Sequence, residues 1–495
     1  MAMRVIGAGS LARDLGGWRH HDGQQSAGGR SVRPAYQALA EGIRLLIHDG
    51  RAPLGVALPS ERDLAAVLEV SRTTITSAYA LLREHGYLIS RQGSRSTVAL
   101  PRDVHYDGRP ARSMLPMPVA PELSTVDMTY AAMAAPPQMH DAYSAALEGI
   151  RSYLDTHGMD PVGVLVLRAA IARRYTARGL PTEPSQILVT LGAQHGMRLL
   201  LNALVTPAAS VLIDHPTYPH AIEAIRDAGA RPVPVPLRPE DPARGWDLDG
   251  IRSAARQTAA TLAYLVPDYN NPTGLLLDAA GRAELAAIAR DTRMTIVVDE
   301  SMVDLGLGED DPPPPVAAFS RGADIVTIGS ASKSFWGGLR VGWIRTNQPL
   351  ITKLLSIRSA VDLGTPVMDQ LATVHLLEFA DQILVRRRNQ LRAQRAALLD
   401  ALAEQLPDWR VGVGAGGMSV WARLPAPVST ALAATAPNHG VLLAAGPRFG
   451  VQGAFERFVR LPFTHPESDL RLAVKAIGSA YSALSSRAAE PLTCY

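Results

Sequence analysis

Between Tyr36 and Gly86 the apolar positions recur at helical spacing in three short blocks. Leu39, Ile43, Leu46 and Ile47 share one face of a helix that Gly50 ends. Ser60 caps a second helix over Glu61-Arg62-Asp63, whose acids suit the positive helix end, with Leu64, Val67 and Leu68 expected inward. After a break at Glu69-Val70, Ser71 caps a third with Ile75, Ala78, Tyr79 and Leu82 inward. Two short helices across so tight a turn make a helix-turn-helix. The outward positions of the third helix, Arg72, Thr73, Thr74, Thr76 and Ser77, are small, polar or cationic and carry no acid. Such a face suits the negatively charged major groove. Tyr87–Arg91 and Thr97–Leu100 then read as strands around Gln92-Gly93-Ser94, a wing whose tip carries Arg91 and Arg95. Upstream, Leu11, Leu15 and Trp18 fall at i, i+4 and i+7, a short amphipathic helix before the glycine-rich stretch Gly23–Gly29.

From 101 to 124 the pattern lapses into five prolines with no periodicity, a semi-extended linker between a DNA-binding unit at 31–100 and a large domain at 125–485. In the large domain helical patterns alternate with β-branched runs at Ile187–Thr190, Ser210–Asp214, Thr261–Val266, Thr295–Asp299, Asp324–Ile328 and Val341–Arg345. That alternation predicts an α/β fold with a largely parallel sheet covered on both faces. Ligands then bind beyond the carboxyl ends of the strands. The prolines at Pro312–Pro315 read as a loop inside this domain, and Arg386–Arg388 as a solvated helix face.

Composition changes this picture little. An apolar share of 47% supports large buried cores, and a net charge of +3 permits nucleic-acid binding without arguing for it. The single cysteine, Cys494, allows no internal disulfide, and no apolar run approaches the roughly 18 residues of a membrane span. A soluble cytoplasmic protein without a metal site is expected.

The densest chemistry lies at Ser330-Ala331-Ser332-Lys333 and, seven residues past the lysine, Arg340. This spacing suits an aldehyde cofactor carrying a phosphate: the lysine forms a Schiff base while hydroxyls and guanidinium hold phosphate oxygens. Other candidates follow the strands in order. Leu191-Gly192-Ala193-Gln194-His195 opens a helix, where the backbone N–H groups of Ala193 and Gln194 could bind a phosphate; His195 reads as a capping or packing residue. Asp299 ends an apolar strand, where a carboxylate could keep a ring nitrogen protonated. The alternating glycines of Gly412–Gly417 open no helix, which excludes a dinucleotide loop.

The lysine stretch resembles the motif of fold-type I pyridoxal-phosphate enzymes, the aminotransferase class I/II group. By that resemblance Tyr218 stacks on the pyridine ring, Asn271 of Asn271-Pro272-Thr273-Gly274 hydrogen-bonds its phenolic oxygen, and Asp299 pairs with its nitrogen. Arg460, within Arg457–Phe463, matches the arginine of the small C-terminal α+β subdomain that clamps a substrate's α-carboxylate. Where the family usually places a tyrosine two or three residues after the aspartate, this chain has Ser301 and Met302. The N-terminal unit resembles the winged helix of GntR-type bacterial regulators, and the resemblance implies that Arg62, Arg72, Thr73 and the Gly93 tip contact DNA; Thr74 on the outward face and Arg95, where the family's wing usually has a second glycine, join them as candidates from their positions. Together the two resemble the MocR family of transcription regulators. Implied are pyridoxal 5'-phosphate on Lys333, an amino-acid-like effector (or the cofactor itself as signal), a DNA operator and a homodimer. The rival is a working aminotransferase with an accessory domain, a role for which the missing tyrosine predicts weak transamination; a cofactor-free scaffold is a third reading.

Overall fold

The computed structural model describes residues 5–16, 34–48, 52, 56–90, 95–98, 125–240 and 245–488. Trp18, Gly23–Gly29, Gly50, the wing tip at 91–94 with Gly93, the linker 101–124 and Cys494 lie outside them, as does the side chain of Ile47. The chain forms two compact units that divide between Pro118 and Val119.

The first unit contains α1 (Ala8–Leu15), α2 (Ala35–His48), α3 (Glu61–Leu68), α4 (Arg72–Glu84) and the antiparallel pair β1 (Leu88–Ile89) and β2 (Thr97–Val98). Ser60 Oγ accepts the Asp63 N–H and Ser71 Oγ the Thr74 N–H, each at 3.1 Å, so both expected caps satisfy amides that the helix start leaves unpaired. Leu39, Ile43, Leu64, Ile75, Tyr79 and Leu82 close its core. Val67 departs from expectation. It is 46% exposed, and Ala65 turns inward instead, because an eight-residue helix presents Leu64, Ala65 and Leu68 to α4 as one narrow stripe.

The second unit begins with β3 (Val126–Asp127), α5 (Met139–Gly149) and α6 (Leu165–Ala177). Then come β4 (Ile187–Thr190), α7 (Gly192–Leu204), β5 (Ser210–His215), α8 (Pro219–Asp227), β6 (Arg231–Pro236), α9 (Leu248–Thr258) and β7 (Leu262–Leu265). Next are α10 (Ala279–Thr292), β8 (Thr295–Asp299), β9 (Ile325–Ser330), the single turn α11 (Ala331–Ser334), β10 (Gly342–Arg345), α12 (Gln348–Arg358) and α13 (Val367–Glu378). The sheet runs β4-β10-β9-β8-β7-β5-β6, parallel except for β10, which pairs antiparallel with both neighbours. Alternate residues feed two cores. Ile187, Val189, Leu212, Ala263, Ile296 and Val298 face α5, α6, α9, α10 and α13, while Leu188, Val211, Ile213, Val297 and Ile328 face α7, α8 and α12. Each fully buried aliphatic side chain contributes about 1.5–3 kcal/mol, which is why these strands read as near-continuous apolar runs.

The long helix α14 (Ala380–Gln405) leads into the C-terminal subdomain: β11 (Arg410–Gly412), β12 (Ser419–Arg423), α15 (Ser429–Thr435), β13 (Val441–Leu442), β14 (Ala444–Ala445), β15 (Phe458–Pro462) and α16 (Glu467–Ala488). Its antiparallel sheet has the order β11-β12-β15-β14, and β13 pairs in parallel with β3. Among the described residues no helix is long and apolar enough to cross a membrane.

Candidate cofactor site

Five parallel strands deliver their following residues to one edge of the sheet. β9 runs to Ser330, two residues past the predicted end. Ser330 Oγ accepts the Ser332 N–H at 3.1 Å, and this turn raises Lys333 into the site. Lys333 Nζ donates to the carbonyl of Ala131 at 2.7 Å. Desolvation, then the Arg460 charge, bring its ammonium down to about 8, with Arg340 adding to the effect and Asp299 opposing it.

Arg340 takes the left-handed conformation, φ 52°, and its Nη2 donates to Leu191 O at 3.2 Å. Gly192 abuts it so closely that an added Cβ would lie 2.9 Å from Nη2, and a Cβ on Gly342 would lie 2.7 Å from Ala193 N. These glycines let the lysine stretch and the start of α7 share one corner. His195 Nδ1 accepts the Leu191 N–H at 3.0 Å, a cap on α7. A cavity of about 500 Å³ opens beside this corner, lined by Gln194, His195, Arg198, His220, Glu223 and Arg340.

Asp299 closes β8. Its Oδ1 accepts the Ser301 N–H at 2.8 Å and its Oδ2 the Tyr264 hydroxyl at 2.5 Å. Tyr218, at the start of α8, is pushed up to about 12 by burial and then by Asp299, so its ring enters the site as a neutral face. In the turn after β7, Asn270 does the structural work: its Oδ1 accepts the Thr273 hydroxyl at 2.8 Å. That leaves Asn271 free of the turn, with its Oδ1 buried and unpartnered among the described residues. Gly274 and Gly414 meet backbone to backbone, since a Cβ on Gly414 would sit 2.4 Å from Gly274 O. The glycines of 412–417 thus buttress this turn.

Arg460 on β15 is buried, donates from Nη2 to Thr129 O, and lies with its guanidinium carbon 5.3 Å from the centre of the Phe449 ring. Burial lowers it to about 10, with Arg448 adding to the effect. The expectation of a solvated face at Arg386–Arg388 is overturned. Arg387 is buried and donates to Ala134 O and Phe335 O, and Arg388 Nε donates to Asp304 O at 2.9 Å; only Arg386 stays exposed. The signal missed was position, for Arg387 falls on the same stripe as Ile383, Leu384 and Leu391.

These residues fit pyridoxal phosphate. Ser332 Oγ, Ser301 Oγ and Arg460 Nε are all buried without a partner among the described residues, a cost of roughly 1–3 kcal/mol each that a polar ligand would relieve.

In the first unit Arg62, Arg72, Thr73 and Arg95 are exposed. Thr74 is partly buried with its hydroxyl 2.8 Å from Ser71 Oγ, and Thr76 donates to Glu61 at 2.7 Å. Those two hydroxyls already have partners.

The pattern of aminotransferase class I and II covers residues 123–477, well over half of the chain. The chain belongs to that family, which is pyridoxal phosphate-dependent. The bacterial regulatory GntR family matches residues 35–98. The combination of the two is that of MocR-type regulators. Similar proteins include the uncharacterized HTH-type transcriptional regulator YdfD of Bacillus subtilis, 24% identical over 92% of this chain and 98% of its own. The HTH-type regulator YdcR of Escherichia coli is 27% identical over 86% and 94%. Among solved structures, an α-aminoadipate aminotransferase of Thermus thermophilus complexed with N-(5'-phosphopyridoxyl)-L-leucine superposes with a TM-score of 0.67 at 26% identity, covering 74% of this chain and 94% of that one.

Proposed function

We propose that this protein is a transcription regulator that grips duplex DNA with its winged helix and senses a small amino compound at a pyridoxal phosphate held on Lys333. The observation carrying this is the joining of a GntR-type unit to a site that retains Lys333, Asp299, Asn271 and Arg460 but has no tyrosine at 301 or 302. Met302 is instead buried in the C-terminal core, and the hydroxyl of Ser301 is carried on a side chain far shorter than a tyrosine's.

When bound, the cofactor supplies an aldehyde for amines and a ring that withdraws electrons. Ser330, Ser332, Arg340 and the N–H groups of Ala193 and Gln194 would hold the phosphate, Tyr218 would offer its ring to the pyridine, and Asn271 would donate to the phenolic oxygen. Asp299 would pair with the ring nitrogen and hold a proton there. Arg460 receives the effector's carboxylate. Lys333 and Arg460 now hold the carbonyls of Ala131 and Thr129, so ligand capture at both would release the segment that follows the linker. An effector shifts DNA affinity only through such differential contacts.

DNA retention by the full chain loaded with pyridoxal phosphate, titrated with amino acids and amines, tests this reading. A change in affinity that tracks a change in the visible spectrum is expected; steady transamination with DNA affinity unmoved would favour the enzyme instead. Arg72→Ala, which removes an exposed cation from α4, is expected to weaken DNA binding about tenfold and leave the cofactor spectrum alone.

Homodimerisation belongs to the same proposal. Met159, Leu165, Val166, Val361 and Leu363 are exposed, and Arg358 ties their two segments together by donating to Pro161 O at 2.7 Å. An apolar patch of this kind is suited to a second copy. Leu363→Glu is expected to halve the mass seen by sedimentation at micromolar concentration.

A further inference from the structure

Although 301 and 302 carry no tyrosine, Tyr264 reaches the carboxylate of Asp299 from the neighbouring strand. Tyr264 on β7 pairs with Val297 on β8, so Asp299, two residues further on, lies on the same face one diagonal step away. The Tyr264 hydroxyl donates to Asp299 Oδ2 at 2.5 Å, while the Ser301 N–H donates to Oδ1 at 2.8 Å. Each carboxylate oxygen therefore has one donor, and the group cannot rotate without breaking both. Tyr264 is 2% exposed, with its ring among Ile213, Val266 and Val297. Burial, then the Asp299 charge, hold its hydroxyl far above the usual phenol range, so it is always a donor.

We propose that Tyr264 is a positioning residue for the cofactor: it fixes and charge-stabilises Asp299 against the ring nitrogen. The inference rests on the reading of Asp299 given above. A carboxylate with one fixed oxygen meets the ring N–H with little reorganisation, whereas one that swings freely must be ordered on binding.

The test is a double-mutant cycle on pyridoxal phosphate affinity, measured by equilibrium dialysis with the full chain as wild type, Y264F, D299N and the double variant. Y264F removes one buried hydroxyl and keeps the ring. It is expected to weaken binding about tenfold when Asp299 is intact and by less than about twofold in the D299N background, because the bond it deletes is to the carboxylate. An equal loss in both backgrounds would show Tyr264 to be packing alone and would overturn the proposal. Should D299N itself leave affinity unchanged, the reading of Asp299 falls and this inference with it, a pattern distinct from equal losses. If Y264F alone does not fold, the fault lies in a carboxylate stripped of its donor, and D299N is expected to restore folding. Failure to restore it also counts against the proposal.

Discussion

Replacing Lys333 with alanine or arginine is expected to give a protein that retains DNA yet fixes no pyridoxal phosphate. It should show no visible absorbance, and borohydride should add no mass at position 333. Alanine removes the amine; arginine keeps the charge but stays protonated throughout the working range. The wild-type chain adds a pH signature. A lysine is nucleophilic only when neutral, and Lys333 is brought down to about 8 by desolvation and by Arg460. The rate of cofactor capture should therefore climb about tenfold per unit from pH 6 toward 8 and level off above it, whereas an ordinary lysine would keep climbing toward about 10.4. Arg460→Leu takes away the second-largest cause, so the plateau should begin at higher pH. A rate still rising steeply at pH 9 in the wild type would remove Lys333 from the role assigned to it.

Much of this site could be read from the sequence because its parts follow strands. A strand end, a turn and a helix start each leave local marks, so Lys333, Asp299, Asn271 and the Gly192 corner were legible within a few residues. Periodicity likewise marked α4, where one apolar stripe decides the buried face. What stayed hidden depends on partners far along the chain. Lys333 meets Ala131 and Arg460 meets Thr129 across hundreds of residues, and no local pattern announces such a contact. β6 was missed because its Arg231-Pro232-Val233-Pro234-Val235-Pro236 run reads as a breaker. Proline is tolerated there because β6 is an edge strand, with its partnerless side spared an unpaired N–H. Tyr264 passed as one more apolar residue of a central strand, for nothing near it in sequence carries the charge it serves.

Asp268→Ala is expected to destabilise the large unit by roughly 3–5 kcal/mol, the usual result of stripping one partner from a buried ion pair. Asp268 Oδ1 and Arg282 Nη2 lie 2.6 Å apart, and both side chains are wholly buried. Arg282 also donates from Nε to Leu277 O at 2.9 Å and from Nη1 to Pro314 O at 3.2 Å, so it bridges α10, the loop before it and the proline run. Without the carboxylate, a guanidinium fixed by those carbonyls loses the acid it touches, and the buried carboxylate beside it, Glu300, is already bonded to Arg178. Asp268→Asn keeps an acceptor but not the charge, and its cost should fall between alanine and wild type. Asp268→Leu with Arg282→Met should recover most of the loss, because two apolar groups of similar volume need no pairing. Five of the six tryptophans lie in the large unit, so urea unfolding followed by tryptophan fluorescence reports on it. The same change reaches the cofactor. Asp268 stands three residues before Asn271, in a turn closed on itself by Asn270 and braced by Gly414. Loosening that turn at temperatures where the unit is still folded should lower pyridoxal phosphate affinity, with DNA retention by the first unit unchanged. A loss of stability below about 1 kcal/mol would mean that water reaches the pair, and that this turn is held by its glycines and not by its charge.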